Sequence, residues 1–320
     1  MTSFLKSLRI YSALGLLLSL ITSGASAEQK HGRLVLSFDD GHPSWISIIA
    51  PELSRVGGTA TAYVNNTQIH AGLISFEELR QLQNHYHWEI GTHTYNHYDA
   101  TVYLELHGLP HWTEMELDKA IAELQAQELT IKSLVFPFNK YAEELKKIVL
   151  ARVSNFRRKG DTPLPRPKED DHSFPGRSID LGHYMPFTQL SKLIDTAHQK
   201  NQSLYLYGHQ VLPDNEFIVD EVVSADKRTL VARDQIEIPE NSSLCLVPNS
   251  EQALKFSVLV KHIEGNTITV ANRNLKHLTK PGAQFIIGPC LSLRLSDFQH
   301  MLDYAAGKLH FSTVSEALGD

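Results

Sequence analysis

Short apolar runs alternate with longer segments of helical period between Arg33 and about Val211. The runs are rich in β-branched and aromatic residues and predict strands, whereas the longer segments carry apolar residues every three or four positions and predict helices. The predicted strands are Leu34–Phe38, Thr59–Val64, Glu89–Thr92, Leu134–Phe136 and Leu204–Tyr207. The predicted helices are Phe76–Asn84, Glu114–Gln127, Ala142–Ala151 and Thr188–Lys200. This alternation indicates repeated βα units, so it predicts an α/β fold with a parallel sheet closed into a barrel.

The pattern changes after Pro213, where short alternating runs are separated by turn residues and no strong helical period intervenes. These runs predict a small all-β unit, either a sandwich or a barrel. Its predicted strands are Glu216–Val222, Thr229–Arg233, Ser243–Val247, Phe256–His262, Thr267–Ala271 and Gln284–Ile287. Helical period resumes at Ser296–Ala306, and a short strand at His310–Thr313 and a terminal helix follow. The β unit is therefore predicted to be an insertion into the barrel.

The first 27 residues have the layout of a secretory signal peptide: Lys6 and Arg9, an apolar run from Ala13 to Ile21, and small residues before a cleavage site after Ala27. The apolar run is too short to span a bilayer. We therefore expect export to the periplasm or the extracellular space, without a stable membrane anchor. The predicted organisation is a signal peptide at 1–27, a barrel at 28–212 and 293–320, and an inserted all-β domain at 213–292.

Composition narrows the classes of function and of metal site. The formal net charge of −6 argues against a nucleic-acid partner. Two cysteines, Cys245 and Cys290, are too few for a disulfide scaffold or a thiolate metal site, so a metal ion would need nitrogen and oxygen ligands. In an exported protein the two cysteines form either a disulfide or two buried thiols, and the sequence leaves both open.

Two adjacent carboxylates, Asp39 and Asp40, stand at the end of the first predicted strand. Loops at the carboxyl ends of the strands of a parallel barrel usually carry its function. One carboxylate of such a pair can bind a metal ion while its neighbour stays free to exchange a proton. A solvated Asp-Asp-Gly turn is the alternative that these residues alone leave open.

Two histidines, His93 and His97, directly follow the predicted strand Glu89–Thr92. A spacing of four lets one helical or tight-turn face present both imidazoles to a common point. With Asp40 they offer two neutral nitrogen donors and one carboxylate, and leave positions open for water and substrate. The same donors bind Fe(II) in oxygenases, but an adjacent free Asp39 has no obvious use in that chemistry.

His209 follows the predicted strand Leu204–Tyr207 and lies at another carboxyl end. An unperturbed imidazole titrates near neutrality, so this residue could donate a proton during catalysis. A structural histidine is the alternative.

The order and spacing of these segments resemble those of the polysaccharide deacetylase family, the NodB-like carbohydrate esterases, over residues 33–211 and again over about 294–318. Ser37–Gly41 matches the first family motif and His93–His97 matches the second. The resemblance implies a distorted (β/α) barrel that holds one divalent metal ion, zinc or else cobalt, manganese or nickel. The implied roles are catalytic base for Asp39, metal ligands for Asp40, His93 and His97, catalytic acid for His209, and acetyl-pocket lining for Tyr207.

The third motif matches only in part, because Phe136–Phe138 fits while Val135 stands where the family has Arg and Asn139 where it has Gly. Asn tolerates positive φ better than other non-glycine residues, so the turn can survive and the Phe138 N–H can face an oxyanion. Val135 cannot donate a hydrogen bond from its side chain. The carboxylate of Asp39 must then be oriented by another group, with Arg177 or Arg157 as candidates, or be less constrained.

The fourth motif is poorly matched by Arg177–Leu181. In that match Asp180 takes a supporting place, where it would hold the ring of His209 in its useful tautomer.

The resemblance implies a hydrolase that removes N-acetyl groups from a polysaccharide or oligosaccharide containing N-acetylglucosamine. An esterase acting on O-acetylated glycans is an alternative, because the same site could serve both reactions. A catalytically inactive carbohydrate-binding relative is another, although its expected mark, loss of the base or of a metal ligand, is missing from this sequence. The particular polymer and the oligomeric state are not indicated.

Overall fold

The computed structural model describes residues 32–158, 160, 162–163, 172–226, 228–236, 243–249, 257–271, 275 and 280–319. The predicted signal peptide lies outside the described residues. Within the described ranges, no helix has both the length and the apolar character needed to cross a membrane.

The strands and helices are numbered in chain order. The strands are β1 Arg33–Asp40, β2 Thr61–Val64, β3 Glu89–Thr92, β4 Ile131–Leu134, β5 Asn155–Arg157, β6 Ser173–Phe174, β7 Arg177–Ser178, β8 Ser203–Gly208, β9 Gln210–Leu212, β10 Ile218–Ala225, β11 Thr229–Ala232, β12 Leu244–Pro248, β13 Val258–Glu264, β14 Thr267–Val270, β15 Gln284–Pro289, β16 Ser292–Arg294 and β17 His310–Ser312. The helices are α1 Ala50–Arg55, α2 Asn66–His70, α3 Phe76–Asn84, α4 Ala100–His107, α5 Leu109–Trp112, α6 Lys119–Ala126, α7 Glu143–Leu150, α8 Phe187–Lys200, α9 Leu295–Ala306 and α10 Val314–Leu318. Two π-helical segments, Trp45–Ile49 and Thr113–Asp118, run into α1 and α6.

A parallel sheet in the order β6-β5-β4-β3-β2-β1-β8-β7, with β17 also paired to β1, curls into the predicted barrel. The fold class predicted from the sequence is thereby confirmed. β1 lies inside this sheet, between β2 and β8, and is buried on both faces, as expected where helices cover a parallel sheet. Its Leu34, Leu36 and Phe38 pack in the large core that includes residues of the helices, whereas Val35 packs with Tyr63 in a separate cluster.

The amino-terminal end of the barrel is covered by α10. The Ser315 N–H donates to Glu89 Oε2 at 2.8 Å, and the Val314 N–H donates to Thr61 Oγ1 at 3.0 Å. Thr313 caps this short helix in a reciprocal capping box with Glu316, which satisfies two of its free N–H groups. The carboxyl ends of the strands lie at the opposite end of the barrel, and the site is expected there.

The inserted all-β unit is a closed antiparallel barrel in the order β10-β11-β14-β13-β12-β15. It confirms the prediction of a small all-β domain within the chain of the larger barrel, while the boundaries at 213 and 292 stay a prediction. Its core is apolar, and Leu230, Leu246 and Phe285 are fully buried in it. Cys245 and Cys290 form a disulfide, which decides the alternative that the sequence left open.

The fourth strand is displaced from its predicted position. It covers Ile131–Leu134, whereas the sequence analysis placed it at Leu134–Phe136. The chain leaves the sheet at this point because Pro137 begins a 3-10 turn through Asn139. The apolar run of Val135 and Phe136 therefore leads into the site and does not lengthen the strand.

Candidate metal and acid–base site

The predicted site residues converge at the carboxyl end of the parallel barrel. Asp39 and Asp40 are the last two residues of β1, His93 directly follows β3, and His209 directly follows β8. Since parallel strands end at the same edge of a sheet, residues that are far apart in sequence meet there. The fold thus brings together all the residues predicted from the first two motifs, together with His209.

Asp40, His93 and His97 form a compact group whose potential ligand atoms all lie within 4.8 Å of one another. Asp40 Oδ1 lies 3.1 Å from His97 Nε2 and 3.5 Å from His93 Nε2. The donor set of two imidazole nitrogens and one carboxylate oxygen is one that zinc and other first-row divalent ions accept, and it leaves further positions for water and substrate.

The hydrogen bond at the far side of His93 determines which nitrogen faces the group. Its Nδ1 lies 2.6 Å from the Val135 carbonyl oxygen, which can only accept, so Nδ1 carries the proton and Nε2 presents a lone pair to Asp40. Burial lowers the pKa of His93 to about 4, against the opposing charges of Asp39 and Asp40. The imidazole is therefore neutral at physiological pH, as a metal ligand must be.

The surroundings of Asp40 also fit a cation. Burial by itself would raise its pKa, but the contacts with His97, His93 and His209 outweigh burial and hold that pKa below its ordinary value. Its Oδ1 is buried without a hydrogen bond of good geometry, although it faces the Nε2 atoms of both imidazoles. A lone pair on His93 and a carboxylate oxygen repel each other unless a positive charge lies between them, so the residues fit a divalent ion.

Unusual backbone conformations cluster around this group. Asp40, Thr94 and His97 have φ values of 81°, 65° and 61°, and Phe138 and Asn139 have φ values of 58° and 53°. Positive φ is rare outside glycine and is kept where the surrounding structure enforces it, frequently at functional sites. The value at Asn139 agrees with the expectation that Asn can replace the family's Gly in this turn.

A buried carboxylate, Glu116, holds the loop of the second motif in its conformation. This residue is not identified by the sequence analysis. Its Oε2 accepts from the Asn96 N–H at 2.9 Å, and its Oε1 accepts from Asn96 Nδ2 at 2.6 Å. The Tyr95 N–H also donates to the Glu116 carbonyl at 3.0 Å. The available signal was its position four residues after Trp112 and four before Ala120, on the apolar face of a helical segment.

Asp39 is buried and forms a bidentate ion pair with Arg157, the last residue of β5. Arg157 Nη1 donates to Oδ1 at 3.0 Å, and Nη2 donates to Oδ2 at 2.5 Å. Arg157 therefore takes the place of the Arg that Val135 cannot supply. Arg177, the other candidate, does not take this role. It begins β7, where it pairs with Leu206, and no ion pair joins it to Asp39 in the described residues.

Asn139 links Arg157 to Tyr207. Its Oδ1 accepts from Arg157 Nε at 2.9 Å, and its Nδ2 donates to the Tyr207 hydroxyl at 3.3 Å. The guanidinium also stacks on the Tyr207 ring, with Cζ 4.0 Å from the ring centroid. The two departures from the third motif thus compensate each other: the guanidinium of Arg157 enters from β5 in place of the missing Arg, and the side chain of Asn139 holds it.

His209 has a fixed orientation because Asp180 accepts from it twice. His209 Nδ1 lies 2.8 Å from Asp180 Oδ2, and the His209 N–H donates to Asp180 Oδ1 at 3.1 Å. Burial opposes the charged ring, but Asp180 outweighs burial and raises the pKa of His209 to about 9. Its Nε2 points towards the metal group, 3.9 Å from Asp40 Oδ2. The side chain can therefore hold a proton beside the group.

Phe138 covers one side of the group. Its ring packs edge-on against His97, with centroids 4.9 Å apart, and 60% of its surface remains exposed. Tyr98, directly after His97, is also half exposed. The exposed ring of Phe138 therefore borders the group, where it can contact a substrate, whereas the ring of Tyr98 stacks on Tyr103.

A family model described as polysaccharide deacetylase matches residues 26–149 of the 320-residue chain. The resemblance inferred from the motifs is thereby confirmed, and the matched segment contains Asp39, Asp40, His93, His97 and Phe138. His209 and Arg157 lie beyond it. No curated protein matches the chain.

Solved structures of similar shape include several deacetylases. A family 4 carbohydrate esterase from Streptomyces lividans is 11% identical with a TM-score of 0.41, and the match covers 56% of this chain and 79% of the esterase. The catalytic domain of a peptidoglycan N-acetylglucosamine deacetylase from Eubacterium rectale is 15% identical with a TM-score of 0.38, covering 56% and 76%. A deacetylase domain from Bordetella bronchiseptica is 13% identical with a TM-score of 0.38, covering 44% and 69%. Values this low transfer neither a substrate nor a mechanism.

Proposed function

From the premise that this chain is an enzyme of the polysaccharide deacetylase type, we propose that it removes N-acetyl groups from a polysaccharide or oligosaccharide containing N-acetylglucosamine, and that it needs a divalent metal ion. The observation that carries the proposal is the convergence of three elements on one face of the barrel. These are a buried carboxylate held by an arginine, a group of three metal-binding side chains, and an oriented imidazole.

Asp40, His93 and His97 would hold the ion. The chemistry that such an ion supplies when bound is polarisation of the acetyl carbonyl and acidification of a water molecule. The three side chains leave room for both, because three protein ligands do not complete a tetrahedral or larger coordination shell.

Asp39 is proposed as the general base. It stands beside Asp40 on β1, and the bidentate contact with Arg157 fixes its plane. A carboxylate held in this way can accept a proton from the attacking water without changing its position. Asn139 keeps Arg157 in place, so it acts on the base through the guanidinium.

His209 is proposed as the general acid, with its proton on Nε2 directed to the site and its Nδ1 held by Asp180. An amine is a poor leaving group unless it is protonated, whereas an alkoxide needs less help. A dedicated, oriented donor therefore supports hydrolysis of an N-acetyl amide over an O-acetyl ester. The Phe138 N–H is proposed to stabilise the negative oxygen that develops on the acetyl carbon.

Export is also part of the proposal. The predicted signal peptide supports it, and so does the Cys245–Cys290 disulfide, because disulfides persist mainly in oxidising compartments. The periplasm or the extracellular space would also be where an acetylated cell-surface or environmental glycan is met.

The test is acetate release by purified protein from chitin oligomers, poly-N-acetylglucosamine, peptidoglycan and an O-acetylated plant glycan, each with and without a chelator. We expect acetate from at least one N-acetylated glycan, and its loss on chelation.

His93→Ala should lose both bound metal and activity, because three ligands leave no redundancy. Asp39→Asn should keep the metal but lose at least about 100-fold in turnover, since an amide cannot accept the proton.

Matched controls separate these effects from general damage. His310→Ala removes an exposed imidazole of the same barrel, and Asp303→Asn neutralises an exposed carboxylate on α9. Both should behave as the parent. Acetate release only from the O-acetylated glycan would replace the amidase by an esterase, and metal retained at full stoichiometry by His93→Ala would remove the proposed metal site.

A further inference from the structure

His209 is held from two directions. Its carbonyl oxygen accepts from Trp45 Nε1 at 2.8 Å, and Trp45 belongs to the π-helical segment after β1 of the parallel barrel. Its ring is held by Asp180, which lies directly before the 3-10 turn Leu181–His183. The main chain of His209 is thus held by both Trp45 and Asp180, while its ring is held by Asp180.

Residues of the inserted barrel hold this turn through hydrogen bonds. The Gly182 N–H donates to the Cys290 carbonyl at 2.7 Å, and the Ser257 hydroxyl donates to the Gly182 carbonyl at 2.5 Å. A Cβ added at Gly182 would lie 2.9 Å from the Cys290 carbonyl oxygen, which is closer than real Cβ contacts come. Both polar groups of this residue's backbone are therefore satisfied by the insertion, and no larger side chain fits there.

Apolar packing reinforces the grip. Leu181 is buried in a cluster whose other buried members, Phe217, Cys245, Val247 and Ile286, lie in or next to the inserted barrel. The disulfide joins Cys245 of this cluster to Cys290, whose carbonyl accepts from Gly182. It therefore ties the apolar contact and the polar contact with the turn to each other.

Asp180 is also held by the strand before it, because the Ser178 hydroxyl donates to Asp180 Oδ2 at 2.9 Å and the Asp180 N–H donates to Ser178 Oγ at 3.2 Å. A cavity of about 240 Å³ lies beside the turn, lined among others by Ile179, Leu181, Tyr184, Asn249 and Leu293. Because atoms are missing beside the turn, its remaining contacts, including those with the inserted barrel, contribute more to its position. The inserted barrel, through the turn that follows Asp180, therefore restrains Asp180 together with Ser178.

We infer that the inserted barrel positions the candidate acid: through Cys290, Ser257 and the Leu181 cluster it fixes the turn after Asp180, and Asp180 then fixes the ring of His209. The inference rests on the proposed function for its catalytic meaning. The insertion is accordingly a positioning element of the site, and residues 181, 182, 257 and 290 are positioning residues that touch no reacting atom.

Gly182→Ala tests the inference with a small steric change, and Gly307→Ala is its matched control, because a Cβ at Gly307 meets nothing within 4 Å. Two substrates separate the acid from the rest of the site. An N-acetylglucosamine oligomer needs a protonated leaving amine, whereas 4-nitrophenyl acetate releases a phenolate that needs no acid. We expect Gly182→Ala to lower kcat for the oligomer by about 10-fold or more, with KM, metal content and kcat for the aryl ester within about 2-fold of the parent.

Amide hydrogen exchange tests the same inference without any turnover. The His209 N–H donates to Asp180 Oδ1, so its protection reports the position of Asp180. In Gly182→Ala, and in the double variant Cys245→Ser/Cys290→Ser, protection of the amides of residue 182 and of His209 should fall by about 10-fold or more, while the amides of β1 keep theirs.

Several outcomes would overturn the inference. One is an equal loss on both substrates in Gly182→Ala, which indicates general damage. Another is reduced protection at Gly182 with unchanged protection at His209, which shows that the turn does not hold Asp180. If the parent hydrolyses neither substrate, the proposed function fails, and the exchange measurement still decides whether the insertion positions His209.

Discussion

The two barrels of this chain differ in closure and in the side chains that fill them: the parallel barrel is a curled sheet that ends at β6 and β7, whereas the inserted barrel is closed. The parallel barrel buries Asp39, Arg157, Glu116 and Asn155, together with many hydroxyl groups. The inserted barrel, between residues 218 and 289, buries no polar side chain among its described residues, and its core is aliphatic apart from Phe285. One barrel therefore keeps charge in its interior, while the other excludes it.

Buried charge is costly, so its distribution indicates where chemistry is needed. Removing a carboxylate and a guanidinium from water costs several kcal/mol for each ion, and even a well-formed pair rarely stabilises more than an apolar replacement does. The parallel barrel carries this cost where Asp39 faces the candidate site. The inserted barrel has no such burden, which suits a rigid body whose outer surface holds a neighbouring turn.

The largest expected effect is in the parallel barrel. Arg157→Met leaves Asp39 buried without its partner, and we expect a loss of about 3–5 kcal/mol in the free energy of unfolding. Turnover should also fall by roughly 100-fold, because the base is no longer oriented. Arg157→Lys should recover only part of both, since an ammonium cannot form the bidentate contact. Urea unfolding and acetate release measure the two effects.

Arg152→Met is the matched control for that experiment. Arg152 pairs with Asp118 in the same barrel, but both side chains are about a third or more exposed, so their pair should contribute at most about 1 kcal/mol. Equal destabilisation by the two substitutions would show that a buried ion pair in the parallel barrel contributes no more to the free energy of unfolding than an exposed one.

A smaller effect is expected from pH. Burial lowers the pKa of His93 to about 4 in the folded chain, whereas an unfolded histidine titrates near 6.5. The unfolded state therefore binds a proton first as pH falls, and the folded state loses stability between about pH 6.5 and 4. Above pH 6.5 this contribution is fully present. The whole difference corresponds to about 3 kcal/mol.

The measurement is urea unfolding of chelated protein from pH 7 to pH 4, for the parent and His93→Gln. The parent should lose more stability on acidification than the variant by about that amount. His262→Gln, which removes an exposed imidazole from the inserted barrel, should follow the parent. Parallel curves for the parent and His93→Gln would contradict the buried, neutral state of His93.

The same contrast explains which parts of the fold the sequence predicts. In the inserted barrel every predicted strand overlaps an observed one, because apolar residues alternate with polar ones around an apolar core. In the parallel barrel β5 was missed, since Asn155 and Arg157 on one of its faces are polar and buried. Hydrophobic period cannot detect a strand whose inward residues are polar: Arg157 pairs with Asp39 in the site, and Asn155 donates to Ser315 of α10.

The residues of the candidate site also fall into those that the sequence predicts and those that only the fold reveals. Asp39, Asp40, His93, His97 and His209 are predictable because they lie in short contiguous motifs or directly after strands. The partners that orient them lie elsewhere in the sequence, and only the fold brings them near. Arg157 remained one of two candidates, the bridging side chain of Asn139 was not anticipated, and the support of Asp180 by the insertion depends on contacts between distant segments.

The smallest expected effect lies in the inserted barrel, and it sharpens the comparison from the other side. Ile268 is fully buried in the apolar core, away from the contacts with Gly182. Ile268→Val removes one methylene and should cost about 0.5–1.5 kcal/mol, because the surrounding side chains relax only in part. Turnover and metal content should equal those of the parent, since the barrel stays folded and its outer surface is unchanged. Chemical denaturation measures the change in the free energy of unfolding, and acetate release measures turnover. Reduced turnover in a fully folded Ile268→Val would mean that the site senses the interior packing of the insertion, and not only its grip on the turn after Asp180.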